Sequence, residues 1–314
     1  MPPRANVPRR IVQPPIPALP YFAYGSNLHR SDWHRWCEHN GFATGLLELL
    51  EPAWLPDWEC AFRLESGSRG GGVLDITPCL GQATPGALFE AGFSAWRALD
   101  RKEGYPHVYR RREVSVICAD GRERRAQTYC VHPARRSADA LAPAPGYAEL
   151  VRGGLVEHGL PTDLLDAAAA GVLAPALIPH VFVYGTLLAG QCREGHMALA
   201  GKARKQEAAS ISGQLENLGA YPGLRLGGMP GARVRGELHF CENLPALQAL
   251  LSVLDGVEGF HGYDQDDGLY RRTLALARRA DGEQQPAWTY RLGDRTPRAP
   301  VIGDGDWLAH FART

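Results

Sequence analysis

The chain of 314 residues has no C-x-x-C pair, and its seven cysteines are an odd number. That composition does not look like a disulfide framework and gives no zinc-ligand spacing, so reduced thiols in a cytoplasmic setting fit best. Charge of either sign is not in excess: 34 Lys and Arg stand against 34 Asp and Glu. With no basic surplus, neither nucleic acid nor an anionic membrane is an expected partner. No apolar run approaches the roughly 18 residues of a membrane-spanning helix. The first 20 residues contain Arg4, Arg9, Arg10 and seven prolines, but not the unbroken apolar stretch of a secretory signal. Residues 1–17 are expected to form a disordered, Pro-rich arm. Also missing are H-E-x-x-H, G-x-G-x-x-G, a G-K-[ST] phosphate loop and a G-x-S-x-G elbow. No metal site is expected, Ser26 has no partner that would make it a nucleophile, and glycines 67, 70, 71 and 72 read as a flexible or close-packed loop.

What the chain does contain is one phrase twice. Tyr21-Phe22-Ala23-Tyr24-Gly25-Ser26-Asn27-Leu28 near the start returns as Val181-Phe182-Val183-Tyr184-Gly185-Thr186-Leu187-Leu188. Each copy is an apolar strand that stops at Tyr-Gly-Ser/Thr and enters a stretch able to form a helix. The free N–H groups at such a helix start can receive an anion. Further matches keep the same order. Leu99-Asp100-x-x-Glu103-Gly104 returns as Leu254-Asp255-x-x-Glu258-Gly259, Tyr109-Arg110-Arg111 as Tyr270-Arg271-Arg272, and Thr128-Tyr129 as Thr289-Tyr290, at separations of 155 to 161 residues. A period this long is a duplicated domain and not a solenoid repeat, and the length suits two domains of roughly 150 residues.

The first domain is expected over residues 18–174 and the second over 180–314, joined by a hinge across the Ala-rich and Pro-containing residues 167–179. In the first, Trp33, Trp36 and Cys37 form the apolar stripe of a helix over residues 30–39. Strands are predicted near 58–64, 72–76, 86–89, 109–118 and 126–131, the last two joined by a hairpin at Asp120-Gly121. Ser94 is a candidate N-cap for the helix leading to Glu103, and Asn243 for the helix leading to Glu258. Both glutamates are placed just past a helix C-terminus. There the dipole disfavours a negative charge, and burial would raise the pKa into a range suited to proton exchange. Tyr109, Tyr129, Tyr270 and Tyr290 read as strand core.

These residues resemble a known family. The first phrase, Leu-Asp-x-x-Glu-Gly, the Gly71-Gly72 pair and the Pro143-x-Pro145-x-Tyr147 segment are similar to γ-glutamylcyclotransferase. The second half resembles γ-glutamylamine cyclotransferase and its plant-type relatives, through Val-Phe-Val-Tyr-Gly-Thr-Leu, Tyr221-Pro222, Val234-x-Gly236-Glu237-Leu238 and Leu269-Tyr270-x-Arg272. The resemblance implies an α+β chain of two tandem domains, each a small mixed β-barrel with flanking helices. It implies release of 5-oxoproline from a γ-glutamyl amide, with no cofactor, and a small γ-glutamyl molecule as the partner. Glu103 and Glu258 would be the catalytic acid–bases. Tyr21, Phe22, Ala23, Tyr24, Gly25, Ser26, Asn27 and Tyr147 in one half, and Tyr184, Gly185, Thr186 and Leu187 in the other, would bind substrate. The longer, acidic loop between Glu258 and Tyr270 would border the second pocket. As an alternative, one half, more readily the second, would be a non-catalytic binding or scaffold module.

Overall fold

The computed structural model describes residues 17–195, 203–265 and 267–313, so the expected N-terminal arm, except Pro17, lies outside the described residues. The first half runs β1 (Tyr21–Ala23), a 3-10 turn (Ser26–Leu28), α1 (Arg30–His39), β2 (Leu47–Ser66), β3 (Gly71–Ala91), α2 (Phe93–Glu103), β4 (Tyr109–Cys118), β5 (Glu123–Val131), α3 (Tyr147–Glu157) and α4 (Asp163–Ala170). Its five strands close into a barrel in the order β1-β3-β2-β4-β5, with β1 antiparallel to β3 and parallel to β5. All three residues of β1 are buried, which explains its continuous rather than alternating apolar pattern.

The second half runs β6 (His180–Val183), β7 (Ala203–Ser212), β8 (Gln214–Asn217), β9 (Pro222–Arg225), β10 (Arg233–Cys241), α5 (Leu244–Glu258), β11 (Tyr270–Arg279), β12 (Gln284–Leu292), β13 (Val301–Ile302) and α6 (Trp307–Phe311). A second closed barrel has the order β10-β6-β12-β11-β7, with β6 antiparallel to β10 and parallel to β12. Beside it lies a three-stranded sheet, β13-β8-β9, for which the first half has no counterpart among the described residues. The expected architecture, two tandem mixed barrels with flanking helices, is the one observed.

Three local expectations are corrected. The short strands near 58–64, 72–76 and 86–89 are parts of two long paired strands, β2 and β3, whose register shifts at bulges near Leu49, Pro56 and Phe62. Prolines 52, 56, 78 and 85 and Gly81 lie within this ribbon, where they read as breaks in sequence, yet bulged and edge positions tolerate them. Helix α2 starts one residue before Ser94 and is preceded by Gly92, with no side-chain cap. Both glutamates are the last residue of their helix rather than past it, and Gly104 and Gly259 take the left-handed C-cap at φ 60° and 65°. Asn243 does cap α5, accepting from the Ala246 N–H at 3.0 Å.

The two barrels share core. Ala83 and Ile117 of the first half pack in the cluster that holds Leu247, Leu251 and Trp288 of the second. Polar contacts stitch the same boundary: Arg271 pairs with Glu123 at 2.7 Å, and the Thr273 hydroxyl donates to the Gly121 carbonyl at 2.6 Å. The linking residues read as a hinge are tied down by buried Gln82, which donates to the Pro175 carbonyl and accepts from the Leu177 N–H.

Candidate active sites

Each repeat of the phrase closes its turn with the same hydrogen bond. Leu28 N–H donates to the Gly25 carbonyl and Leu188 N–H to the Gly185 carbonyl, both at 3.0 Å. The motif tyrosines anchor these turns. Tyr24 and Tyr184 each donate a hydroxyl hydrogen to a carbonyl, of Tyr129 and Tyr290 respectively, at 2.8 Å. Those partners in turn donate to the aspartates of Leu-Asp-x-x-Glu. Tyr129 reaches Asp100 at 2.7 Å and Tyr290 reaches Asp255 at 2.6 Å. An arginine completes each clamp: Arg111 grips Asp100 through two nitrogens, and Arg272 holds Asp255 at 2.7 Å. Since the aspartate sits three residues before the glutamate, on a neighbouring helix position, the clamp fixes the helix end that carries Glu103 or Glu258. The sequence contains this signal, because Asp and Arg both recur in the repeat, but their contact becomes visible only in three dimensions.

Glu103 opens on a cavity of about 630 Å³. Ser26 and Tyr147 share its lining, and so do Arg69, Arg101, Lys102 and Arg135, which sequence reading did not single out. Arg69 lies among the glycines read as a loop. Gly71 and Gly72 are indeed close-packed there: a Cβ on Gly72 would stand 2.6 Å from the Ala142 carbonyl oxygen. That contact docks the loop leading into α3 and so places Tyr147, whose ring lies 4.9 Å beneath the Arg69 guanidinium. Asp32 holds both Arg69 and the nearly buried Lys102, at 3.4 and 3.3 Å. Asn27 donates its amide to Glu103 at 2.8 Å and to the Tyr21 hydroxyl at 2.9 Å. Burial raises the Glu103 pKa, while Lys102, Asn27 and Arg69 pull it back. Burial also pushes the Tyr147 hydroxyl up to about 12, with Ser26 as a hydrogen-bond partner. Phe22 and Ala23 are fully buried and form wall behind the turn, not lining.

The second site is built differently on the same frame. Tyr184, Gly185, Thr186 and Leu187 line a cavity with Glu258, Arg193 and Tyr221, but its volume is only about 30 Å³. Val181 and Leu187 stand where the first half has Tyr21 and Asn27, so no amide reaches Glu258 from the turn. Burial pushes Glu258 up to about 7, and Arg193 is the group that opposes the shift. Pro222 fills the space above the turn: a Cβ on Gly185 would meet its Cγ at 2.8 Å, whereas a Cβ on Gly25 meets only the Tyr147 hydroxyl at 3.5 Å. Tyr270 holds Pro222 there by donating to its carbonyl at 2.5 Å, and Tyr184 accepts from the Leu224 N–H at 3.2 Å.

The acidic loop after Glu258 does not border this cavity among the described residues. Phe260 and Tyr263 pack on the guanidinium groups of Arg271 and Arg272, and the Tyr263 carbonyl accepts from Ser115 of the first barrel at 3.2 Å. Cation–aromatic stacking draws the loop to the domain boundary instead.

The family profile described as gamma-glutamyl cyclotransferase, AIG2-like, matches residues 21–148 and again residues 181–309. The chain belongs to this family. Its two AIG2-like domains account for both barrels and both sites, and the family's chemistry is of the γ-glutamyl cyclotransferase type. Among solved structures, one described as gamma-glutamyl cyclotransferase is 25% identical, with 48% of this chain and 86% of that one covered and a TM-score of 0.41. An AIG2-like protein from Mus musculus is 22% identical, covering 38% and 80%, with a TM-score of 0.31. YkqA from Bacillus subtilis is 14% identical and covers 90% of this chain and 86% of its own, with a TM-score of 0.33. No curated protein matches significantly. No described helix is long and apolar enough to cross a membrane.

Proposed function

We propose that the chain releases 5-oxoproline from γ-glutamyl amides. In this reading the first half is a γ-glutamylcyclotransferase and the second is related to γ-glutamylamine cyclotransferases. The observation that supports it best is the matched pair of glutamates with raised pKa, each ending a clamped helix beside a Tyr-Gly-Ser/Thr turn.

The substrate supplies both nucleophile and electrophile. Glu103 takes a proton from the α-ammonium, and the freed amine nitrogen attacks the γ-carbonyl carbon of the same molecule. The five-membered ring closes, the bond to the leaving nitrogen breaks, and Glu103 returns its proton to that nitrogen. Glu103, ionised again, takes the surplus proton of the ring nitrogen, which ends on the departing amine as its ammonium form. A carboxylate with raised pKa suits both transfers, and general acid–base help of this kind contributes roughly 10²- to 10⁴-fold. Holding one folded substrate conformer offsets about 7–11 kcal/mol of barrier. N–H groups of the Gly25-Ser26 turn face the substrate's developing negative charge. Asn27 Oδ1 is buried without a donor among the described residues, and offers an acceptor to the substrate's nitrogen. Residues Glu258 and Gly185-Thr186 take the same parts in the second half.

The 30 Å³ cavity favours a second reading for that half, as a non-catalytic module, because a γ-glutamyl unit is larger than this space. Glu103→Gln and Glu258→Gln, separately and together, decide between them with 5-oxoproline detected by mass spectrometry across a panel of γ-glutamyl amino acids and amines. Two active sites give a partial loss in each single variant and a loss of at least about 10²-fold in the double one. Release that survives in the double variant overturns the mechanism. Release abolished by Glu103→Gln alone on every substrate shows that the second half is not an active cyclotransferase.

A further inference from the structure

The two aspartate clamps differ in one respect that the repeat does not predict. In the first half, Arg111 gives both its Nε and a terminal nitrogen to Asp100. In the second, Arg272 gives only Nη1 to Asp255, and its Nη2 donates to Asp57 of the first barrel. Arg272 is almost wholly buried, so its positive charge is satisfied inside the protein and not by solvent. Asp57 is built for this contact. It sits at the bulge of β2 in the left-handed region, φ 62°, and its other oxygen accepts from the Gly81 N–H at 2.9 Å. Left-handed backbone at a non-glycine residue is uncommon and is kept where surrounding contacts fix it. Here it turns a carboxylate out of one barrel and into the clamp of the other.

We infer that Asp57 is a positioning residue for the second site, acting through Arg272 and Asp255 on the end of α5 that carries Glu258. Its reach is across the domain boundary. A carboxylate on the far nitrogen of Arg272 keeps the guanidinium from closing on Asp255 in the two-point grip seen at Asp100. The angle of the helix end, and the placing of Glu258 against the Gly185-Thr186 turn, then depend on the first barrel. The duplication has produced a second site completed by the first domain. This inference rests on the proposed cyclotransferase reading of the second half for its catalytic consequence only.

Full-length protein carrying Glu103→Gln isolates the second site, and Asp57→Asn is added to it. Asparagine keeps the shape, tolerates the left-handed backbone and retains an oxygen for Gly81, so the change removes the charge and turns the acceptor facing Arg272 into an amide N–H donor. Asp57→Glu is the restoring variant. Glu123→Gln is the control, because it breaks the Arg271 pair at the same boundary without touching Arg272. Two readouts are taken: steady-state release of 5-oxoproline, and the carboxyl ¹³C titration of Asp255. Asp255 faces Arg272 and Tyr290 directly, Asp57 and Tyr263 across the guanidinium, and Glu258 along its own helix. Asp57→Asn is expected to lower kcat by roughly three- to thirtyfold with KM nearly constant. It should also move the Asp255 midpoint below its value of about 6, since a repelling charge is gone and Arg272 is no longer shared. Asp57→Glu should recover part of both. An unmoved midpoint, an unmoved kcat, or a Glu123→Gln control that reproduces the changes overturns the inference. A midpoint that moves in a protein whose Glu103→Gln form releases no 5-oxoproline supports the positioning and refutes the catalytic reading of the second half.

Discussion

Asn27 donates its side-chain amide to Glu103 at 2.8 Å, and the residue in its place in the second half is Leu187. This donor is one of the differences between the two glutamates, beside Lys102 and Arg69 near Glu103 and Arg193 near Glu258. A hydrogen bond to the carboxylate form favours ionisation, so this contact holds the Glu103 pKa below what burial alone would impose.

Replacing Asn27 by Leu removes that donor. Glu103 should become harder to ionise, and the acid limb of kcat/KM for the first site should move to higher pH. The measurement uses the Glu258→Gln background so that one site reports. Activity lost on the acid side should return as pH rises. A limb that stays in place would show that Asn27 does not govern the charge of Glu103. The reverse exchange, Leu187→Asn, should bring Glu258 down from about 7.

The stability of the chain should carry the mark of Glu258. Its ordinary value is 4.5, and in the fold it is pushed up to about 7. Between these values the folded state binds more protons than the unfolded state, so stability falls as pH rises. The contribution is complete below pH 4.5 and is lost by the time pH passes 7, amounting to no more than about 3 kcal/mol. Asp255, pushed up to about 6, acts with the same sign. Thermal denaturation of Glu258→Gln against wild type at several pH values between 5 and 8 tests this. The variant's melting temperature should fall less over that interval, and parallel curves would rule out the assignment.

The two turn glycines should respond unequally to alanine. At Gly25 the added methyl meets the Tyr147 hydroxyl at ordinary contact distance, 3.5 Å. At Gly185 it stands 2.8 Å from the ring of Pro222, which Tyr270 and the strand β9 hold in place. Overpacking of this kind costs about 1–3 kcal/mol. Gly185→Ala should destabilise the protein by that amount and Gly25→Ala by much less. Adding Pro222→Ala should recover most of the loss, in a double-mutant cycle read by chemical denaturation. Additive effects would mean that the proline ring is not the obstacle.

Much of the site was legible in the chain because the repeat samples each part twice. Glu103 and Glu258 share a preceding Leu-Asp and a following glycine, and that pairing singles them out where a lone glutamate would not. The same logic marks Tyr24 and Tyr184 as substrate contacts. Their hydroxyls turn out to brace the barrel, a role that a shared motif cannot separate from binding. Arg69 and Lys102 stayed hidden because nothing local marks them. The first lies in a glycine-rich hairpin tip and the second precedes the glutamate, and Asp32 gathers them from 37 and 70 residues away. Length and acidity point the loop after Glu258 toward the pocket. Its aromatics, Phe260 and Tyr263, decided otherwise by stacking on two arginines of β11.

The amino-acid sequence by itself determined the duplication, the strand-to-turn phrase in each half and the glutamate that answers it. These are matters of local pattern: burial of both strand faces, glycine where the backbone must turn, and fixed spacing along one helix. Tertiary structure alone decided that one turn opens on about 630 Å³ and the other on about 30 Å³, and that Asp57 completes a clamp 215 residues away. Cavity size and the sharing of a buried charge depend on which distant groups arrive at the same place. Two halves with the same local pattern can therefore differ in both.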